Sequence, residues 1–332
     1  MNIREISALK STAGERLANA KDARKIALIF GGLNAGLALL VTGLSFYLDM
    51  QIGQTGGLRN IGIRSALASV QPLLSIVQVA ALMCLELGYL AAMLRISRGQ
   101  YTSPQTLRAG IQRFFPLLRM ELLQILIYLG IAMIAGTLSV QFFMLTPMSD
   151  GLMNVLTPIL GSGTEQEAVA MLGDEKITML LMREMVPCYL LMLAVFAAAA
   201  IPVAYRYRMA RYVLLDKPAV GAVAALRESR RMMRKNGIAL FRLDVSFWWY
   251  YGVNLLAAAV CYGDTLLGFA GIRLPWSGNV SYFLFYGLYL VVTLVSCVFL
   301  RNRVEVTYAE AYDAVRPKEQ TEGVVLGNIF QM

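Results

Sequence analysis

The chain has 332 residues, of which 58% are hydrophobic and 15% charged, with a formal net charge of +9 and a mean hydropathy of +0.58. Those proportions exclude a soluble globular protein, while ordinary glycine and proline content and four cysteines exclude collagen, disorder and a disulfide scaffold. They describe an all-α integral membrane protein, with apolar runs long enough to cross roughly 30 Å of hydrocarbon.

In chain order, residues 3–20 set Ile6, Leu9, Ala13 and Leu17 on one face amid basic residues, the pattern of an interfacial amphipathic helix. Spans follow near 26–48 and 72–94. The first is too long for a signal-peptide core and no small-residue cleavage site follows it, so it is expected to stay in the mature protein. Residues 103–115 predict a second interfacial helix, with Ser103 as cap, Pro104 at the first helical position, Leu107, Ile111 and Phe114 on one face and Pro116 as terminator.

The third span lies near 119–145. An acidic outer connection over 146–185 sets six carboxylates against Lys176 and Arg183, and Thr164 with Glu167 reads as a capping box. The fourth span, near 186–208, contains Pro187 and Pro202. Residues 217–236 predict the third and strongest interfacial helix: Asp216 caps it, Ala219, Ala222, Leu226, Ser229 and Met233 share one face, cations gather opposite, and Asn236-Gly237 stops it. Spans near 244–262 and 280–300 complete six, read as three hairpins, each preceded by a cytoplasmic interfacial helix.

Sorting Lys and Arg by alternate sides places 25 of the 30 with both termini and only Arg59, Arg64, Lys176, Arg183 and Arg273 opposite. Under the positive-inside rule both termini are cytoplasmic, in the cell membrane. The net charge then faces anionic headgroups of the inner leaflet, with no need for nucleic acid. Trp248, Trp249, Tyr250, Tyr251 and Trp276 sit where aromatic belts form.

The absence of histidine removes imidazole metal sites and Ser-His nucleophiles, and no CxxC, P-loop, HExxH or GxSxG pattern is present. No catalytic residue, metal or cofactor is expected, and the protein is read as non-enzymatic. Glu86 lies nine residues before Arg95, roughly 13 Å inside the second span. A carboxylate there needs a partner, for which Arg119, Gln78 and Gln124 are candidates, or it serves a proton or substrate site. Glu121 and Asp244 each follow an arginine by two residues where a span begins, a placement that favours the positive end of the helix dipole.

Two blocks carry a family resemblance. One runs from Glu86-Leu87-Gly88-Tyr89 through Arg98-Gly99 to Gly110-Ile111-Gln112-Arg113-Phe114. The other joins Tyr205-Arg206-Tyr207, the stretch from Ala224 to Met233, Asn236-Gly237 and Leu243-Asp244-Val245-Ser246-Phe247, with Tyr308-Ala309-Glu310-Ala311-Tyr312 as an aromatic-acidic tail. Together they resemble a six-span membrane family of Gram-positive bacteria known as the domain of unknown function number nine-seven-five. The resemblance implies six spans and no established activity.

The leading functional expectation is a lipid-interacting scaffold or the partner subunit of another membrane protein. Arg227, Arg230, Arg231, Arg234 and Lys235 would hold anionic headgroups, with Leu226 and Met233 as the apolar anchors. The alternative is a permease for a small amphipathic or lipid-like substrate, proton-coupled through Glu86, which predicts a cavity near mid-membrane. A lipid-metabolising enzyme, requiring Glu86, Glu121 and Asp244 in one water-accessible cluster, ranks third.

Overall fold

A computed structural model describes residues 3–54, 61–161, 164, 175–217, 219–269 and 278–316, and every regular element among them is helical. The chain divides into two compact units, Met1–Arg119 with Tyr207–Met332, and Met120–Arg206. Five stretches are long and apolar enough to cross a membrane: Ala23–Ile52, Ala68–Ser97, Phe114–Met144, Met179–Asp216 and Val280–Val315.

In the first unit, α1 (Ile3–Asn19) turns through Ala20 into α2 (Ala23–Gln54), where Asp22 pairs with Lys25 at 3.2 Å across the first turn. The Ala- and Leu-rich α2 packs along α3 (Ile61–Ser97). A 3-10 turn, Pro104–Arg108, and the single turn α4 (Ala109–Gln112) lie directly on α3. Two glycines permit this approach. A Cβ on Gly110 would stand 1.7 Å from the Cys84 carbonyl oxygen, and one on Gly88 would stand 2.1 Å from that of Leu107.

The expected amphipathic helix over 103–115 is therefore a tight turn docked on protein. Ser103 is its N-cap by position, Leu107 is buried and Ile111 is exposed. Pro116 terminates nothing. It is the third residue of α5 (Phe114–Met144), where its missing N–H would have had no intrahelical partner.

The first unit continues through α8 (Ala210–Asp216), α9 (Ala222–Val245), α10 (Trp248–Cys261), α11 (Gly263–Phe269), α12 (Gly278–Ser296), a π-helical turn (Cys297–Arg301) and α13 (Asn302–Val315). Here α9 packs on α8 and α13, α13 on α1 and α3, and α10 along α12. The core gathers Ile26, Phe30, Tyr89, Met93, Ile96 and Val306.

Two expectations change in this region. Asn236-Gly237 does not stop α9, because Ala239, Leu240 and Leu243 beyond it bury on the unit and repay a cost of ~1 kcal/mol for an interior glycine. Asp216 does not cap α9, whose N-cap is Gly221. The run expected to span over 244–262 is divided: α9 holds Asp244 in its last turn, the chain breaks at Ser246-Phe247, and α10 has 14 residues, or about 21 Å.

The second unit holds α5 beyond Arg119, α6 (Asp150–Leu160) and α7 (Glu175–Tyr207) up to Arg206. The connection over 146–185 thus contains a helix, with Leu152 and Ile159 buried and Gly151 directly beneath Glu184. Glu167, the reciprocal half of the expected capping box, lies outside the described residues, as do Trp276 and Arg273. α7 runs without interruption through Pro187 and Pro202.

Candidate functional site

Glu86 faces the π-helical turn. Arg301 Nη2 donates to Glu86 Oε1 at 2.5 Å, and Arg211 Nη1 stands 3.9 Å from the same oxygen. Glu305, one turn beyond Arg301, closes at 3.6 Å and accepts from the Tyr212 hydroxyl at 3.4 Å. The Arg301 guanidinium also lies 5.1 Å from the Phe30 ring and 5.2 Å from the Tyr89 ring, which stack on each other at 4.5 Å. Tyr89 donates to Asn302 Oδ1 at 2.6 Å.

A π-turn is wider than an α-turn and recurs where helices carry function. Here it brings Arg301 and Asn302 to α3 together. Glu86 is accordingly one of two carboxylates balanced by two guanidiniums, and its partners are Arg301 and Arg211 rather than Arg119.

Asp244 sits at the wrong end of α9 for the helix dipole. Hydroxyls offset that placement: Tyr308 donates to Asp244 Oδ1, Tyr251 approaches the same oxygen at 3.4 Å, and the two phenols lie 2.9 Å apart. Arg208 stands 4.8 Å over the Tyr308 ring. Glu121 is buried in the third turn of α5, within the second unit. The two positions that look equivalent in sequence are thus one mid-helix carboxylate and one helix-terminal carboxylate. Glu86 and Asp244 have separate partners.

At the ends of α3, α8 and α13 a further set of charges interlocks. Arg98 forks onto Asp313 at 3.0 and 2.6 Å and reaches Asp216 at 2.7 Å, while Asp216 also takes Arg316 at 2.8 Å and the Tyr312 hydroxyl at 3.1 Å. Hydrogen bonding to Asp313, then Asp216, raises the Arg98 pKa and keeps the guanidinium charged. On α1, Lys10 donates to the Ser246 carbonyl at 2.9 Å, with its ammonium 4.1 Å over the Phe247 ring. It caps the C-terminal end of α9, and its pKa is lowered by burial and by Arg303.

Arg227, Arg230, Arg231, Arg234 and Lys235 are all exposed along α9. Leu226 and Met233 are buried on α9's inner face with Ala225, Ser229 and Met232, so neither can anchor in lipid. That face is occupied by protein, as is the Ile6 and Ala13 face of α1. The exposed stripe of α9 reads Val223, Arg227, Arg230, Arg234, Ile238, Phe241 and Val245 at helical three- and four-residue steps. Its first half is cationic and its second apolar, with Ile238 73% and Val245 55% exposed, and Trp248 beyond the break is 73% exposed.

A cleft of about 430 Å3 lies between α2, α3, α10 and α12, with Arg301, Phe30 and Tyr250 among its walls. Among the described residues no group of three or more Cys, Asp or Glu side chains is placed to hold a metal ion.

The family model described as "Protein of unknown function (DUF975)" matches residues 16–318. The chain belongs to this family. No curated protein and no solved structure matches it. Several of the residues quoted for the resemblance help to lock the first unit of this family member. Gly88 and Gly110 set the 104–112 turn on α3, Tyr308 and Tyr312 of the tail bond Asp244 and Asp216, and Arg98 clasps Asp313. Sequence reasoning missed Arg301, Arg211, Glu305 and Asp216 as partners. Arg301 directly after an apolar run, with Glu305 at i+4, was the available signal.

Proposed function

We propose that the protein is a non-enzymatic, six-span protein of the bacterial cell membrane that binds anionic lipid at the cytoplasmic leaflet, as a lipid-interacting scaffold or as the partner subunit of another membrane protein. The outward stripe of α9 carries this reading. Cations over 227–235 suit the headgroup layer and the apolar Ile238, Phe241 and Val245 suit the acyl boundary, with the exposed Arg242 between them long enough to reach back toward the headgroups. The helix then enters the leaflet obliquely, and α10 with α11 makes the fifth crossing. Both termini lie on the cytoplasmic side with the basic residues.

Lipid anchoring by this stripe replaces the role first given to Leu226 and Met233. Each cation near an anionic surface contributes about 1 kcal/mol, so five make a salt-sensitive attraction of about 5 kcal/mol at most. The test is native mass spectrometry of the full chain released in mild detergent, beside a variant with Arg227, Arg230, Arg231, Arg234 and Lys235 changed to Gln. Retained phosphatidylglycerol should disappear in the variant; equal retention would overturn the headgroup assignment.

A permease for a small amphipathic substrate is the second reading, favoured by the cleft beside the Glu86–Arg301 pair. It requires that Glu86→Gln abolish flux in protein that remains folded. Unchanged flux would remove Glu86 from any transport mechanism.

A further inference from the structure

The cleft between α2, α3, α10 and α12 has a volume within the ~300–1,000 Å3 range of small-molecule sites. Asn34, Gln78, Tyr289 and Thr293 line it from helices otherwise apolar enough for a membrane, and Asn254 from α10. Polar groups at such depth are sustained by partners, because hydrocarbon supplies none. Ser296 Oγ, behind the cleft wall on a residue only 3% exposed, has no hydrogen bond, and Arg301 Nε has only the Glu305 carboxylate, at 3.6 Å.

The charge at the cleft selects among ligands. Arg301 is its charged wall residue, and it belongs to a set of two guanidiniums and two carboxylates, Arg301 and Arg211 with Glu86 and Glu305, whose sum is zero. An ion of either sign entering this low-dielectric space would find no uncompensated counter-charge. A neutral hydroxyl or carbonyl group would pair with the amide and hydroxyl side chains of the lining at no such cost. Leu82, Leu290 and Leu294 supply an apolar wall alongside.

We infer that this cleft binds a net-neutral amphiphile whose hydroxyl and carbonyl groups meet Gln78, Asn254 and Tyr289, with an alkyl chain against the three leucines. Occupancy of the cleft is independent of leaflet contact by α9, and it requires no flux. Its failure would leave the headgroup reading intact.

Two of the four free cysteines, Cys261 and Cys297, line the cleft and report its occupancy. The full chain, with Cys84→Ser and Cys188→Ser, is placed in phosphatidylcholine–phosphatidylglycerol nanodiscs, which avoids sugar detergents that would compete. Tagging of Cys261 by methyl methanethiosulfonate is followed by peptide mass. Monocaprylin, an uncharged glycerol ester, should slow tagging at least fivefold, whereas octanoate and octylamine should change it by less than twofold. In Ser296→Leu, which fills the cleft, protection by monocaprylin should vanish, and Asn254→Leu serves if the first variant does not fold. Absence of protection, equal protection by either charged chain, or protection that survives in the folded filled variant would each overturn the assignment.

Discussion

In the first unit each long helix is fastened to another by an ion pair, a phenol or a backbone-to-backbone approach, whereas α5 and α7 of the second unit turn most of their surface outward. In their most apolar windows 33% of α2 and 22% of α3 are buried, against 11% for the span Phe114–Met144 and 6% for Met179–Asp216. Apolar surface gains nothing by leaving lipid for protein, so helix association in a bilayer depends on close packing and interhelical polar bonds. The first unit has both: Gly88 and Gly110 for approach, and Arg301, Asp216 and Asp244 for bonding. The second unit is tied at fewer described points, such as Gly151 beneath Glu184 and Gly136 beside Met192. Its outward faces are the ones lipid would cover.

The largest effect that would test this contrast comes from Arg301. Replacing it by Leu leaves two carboxylates to Arg211 and the Tyr212 hydroxyl, and since breaking a fully buried ion pair costs about 3–5 kcal/mol, this half-buried one should cost about 2–3 kcal/mol. Denaturant unfolding of the purified full chain should show that loss, and adding Glu86→Gln should recover at least ~1 kcal/mol through coupling of the pair. A loss below ~1 kcal/mol in the single variant would mean that the ion cluster does not hold the unit. Next come the glycines. Gly110→Ala drives a methyl into the Cys84 carbonyl oxygen and should cost about 2–3 kcal/mol, whereas Gly130→Ala in α5 meets open space and should stabilise by ~0.5–1 kcal/mol. Equal effects on thermal unfolding at the two positions would erase the distinction between the units. Asp216→Asn should follow at about 2 kcal/mol, since Arg98 and Arg316 lose a charged acceptor in a residue whose side chain is 6% exposed.

How far the sequence disclosed this arrangement depends on the kind of signal. Five spans follow from apolar length alone, since length against bilayer thickness is a one-dimensional question. The run at 244–262 does not stand out by length in the same way, because its apolar content is shared between the end of α9 and a 14-residue α10, and hydropathy does not register the break at Ser246-Phe247. Periodicity located the two faces of α9 correctly, but a face rich in Ala, Leu and Met reads the same whether protein or lipid covers it. Glu86 was recognisable as needing a partner, yet Arg301 lies 215 residues away, and a lone sequence carries no register between distant helices. Pro116 read as a stop because its position relative to a helix start depends on the docking of the 104–112 turn, which Gly88 and Gly110 decide.

The smallest effect on folding should accompany the largest effect on lipid. Neutralising Arg227, Arg230, Arg231, Arg234 and Lys235 removes side chains that are exposed, so each change should move unfolding by no more than about 0.5 kcal/mol. Retention of phosphatidylglycerol should nevertheless fall sharply, and in the wild type it should weaken as salt rises from 0.05 to about 0.5 M, because exposed charges are screened over a Debye length of about 10 Å at 0.1 M. Changing Ile238, Phe241 and Val245 to Ser tests the other half of the stripe: it should weaken lipid retention with little dependence on salt, since apolar insertion is not screened. If the cation variant instead unfolds as readily as Arg301→Leu, α9 holds the first unit together through its outer face as well as its inner one. The separation between a protein-facing side built for stability and a membrane-facing side built for binding would then be lost.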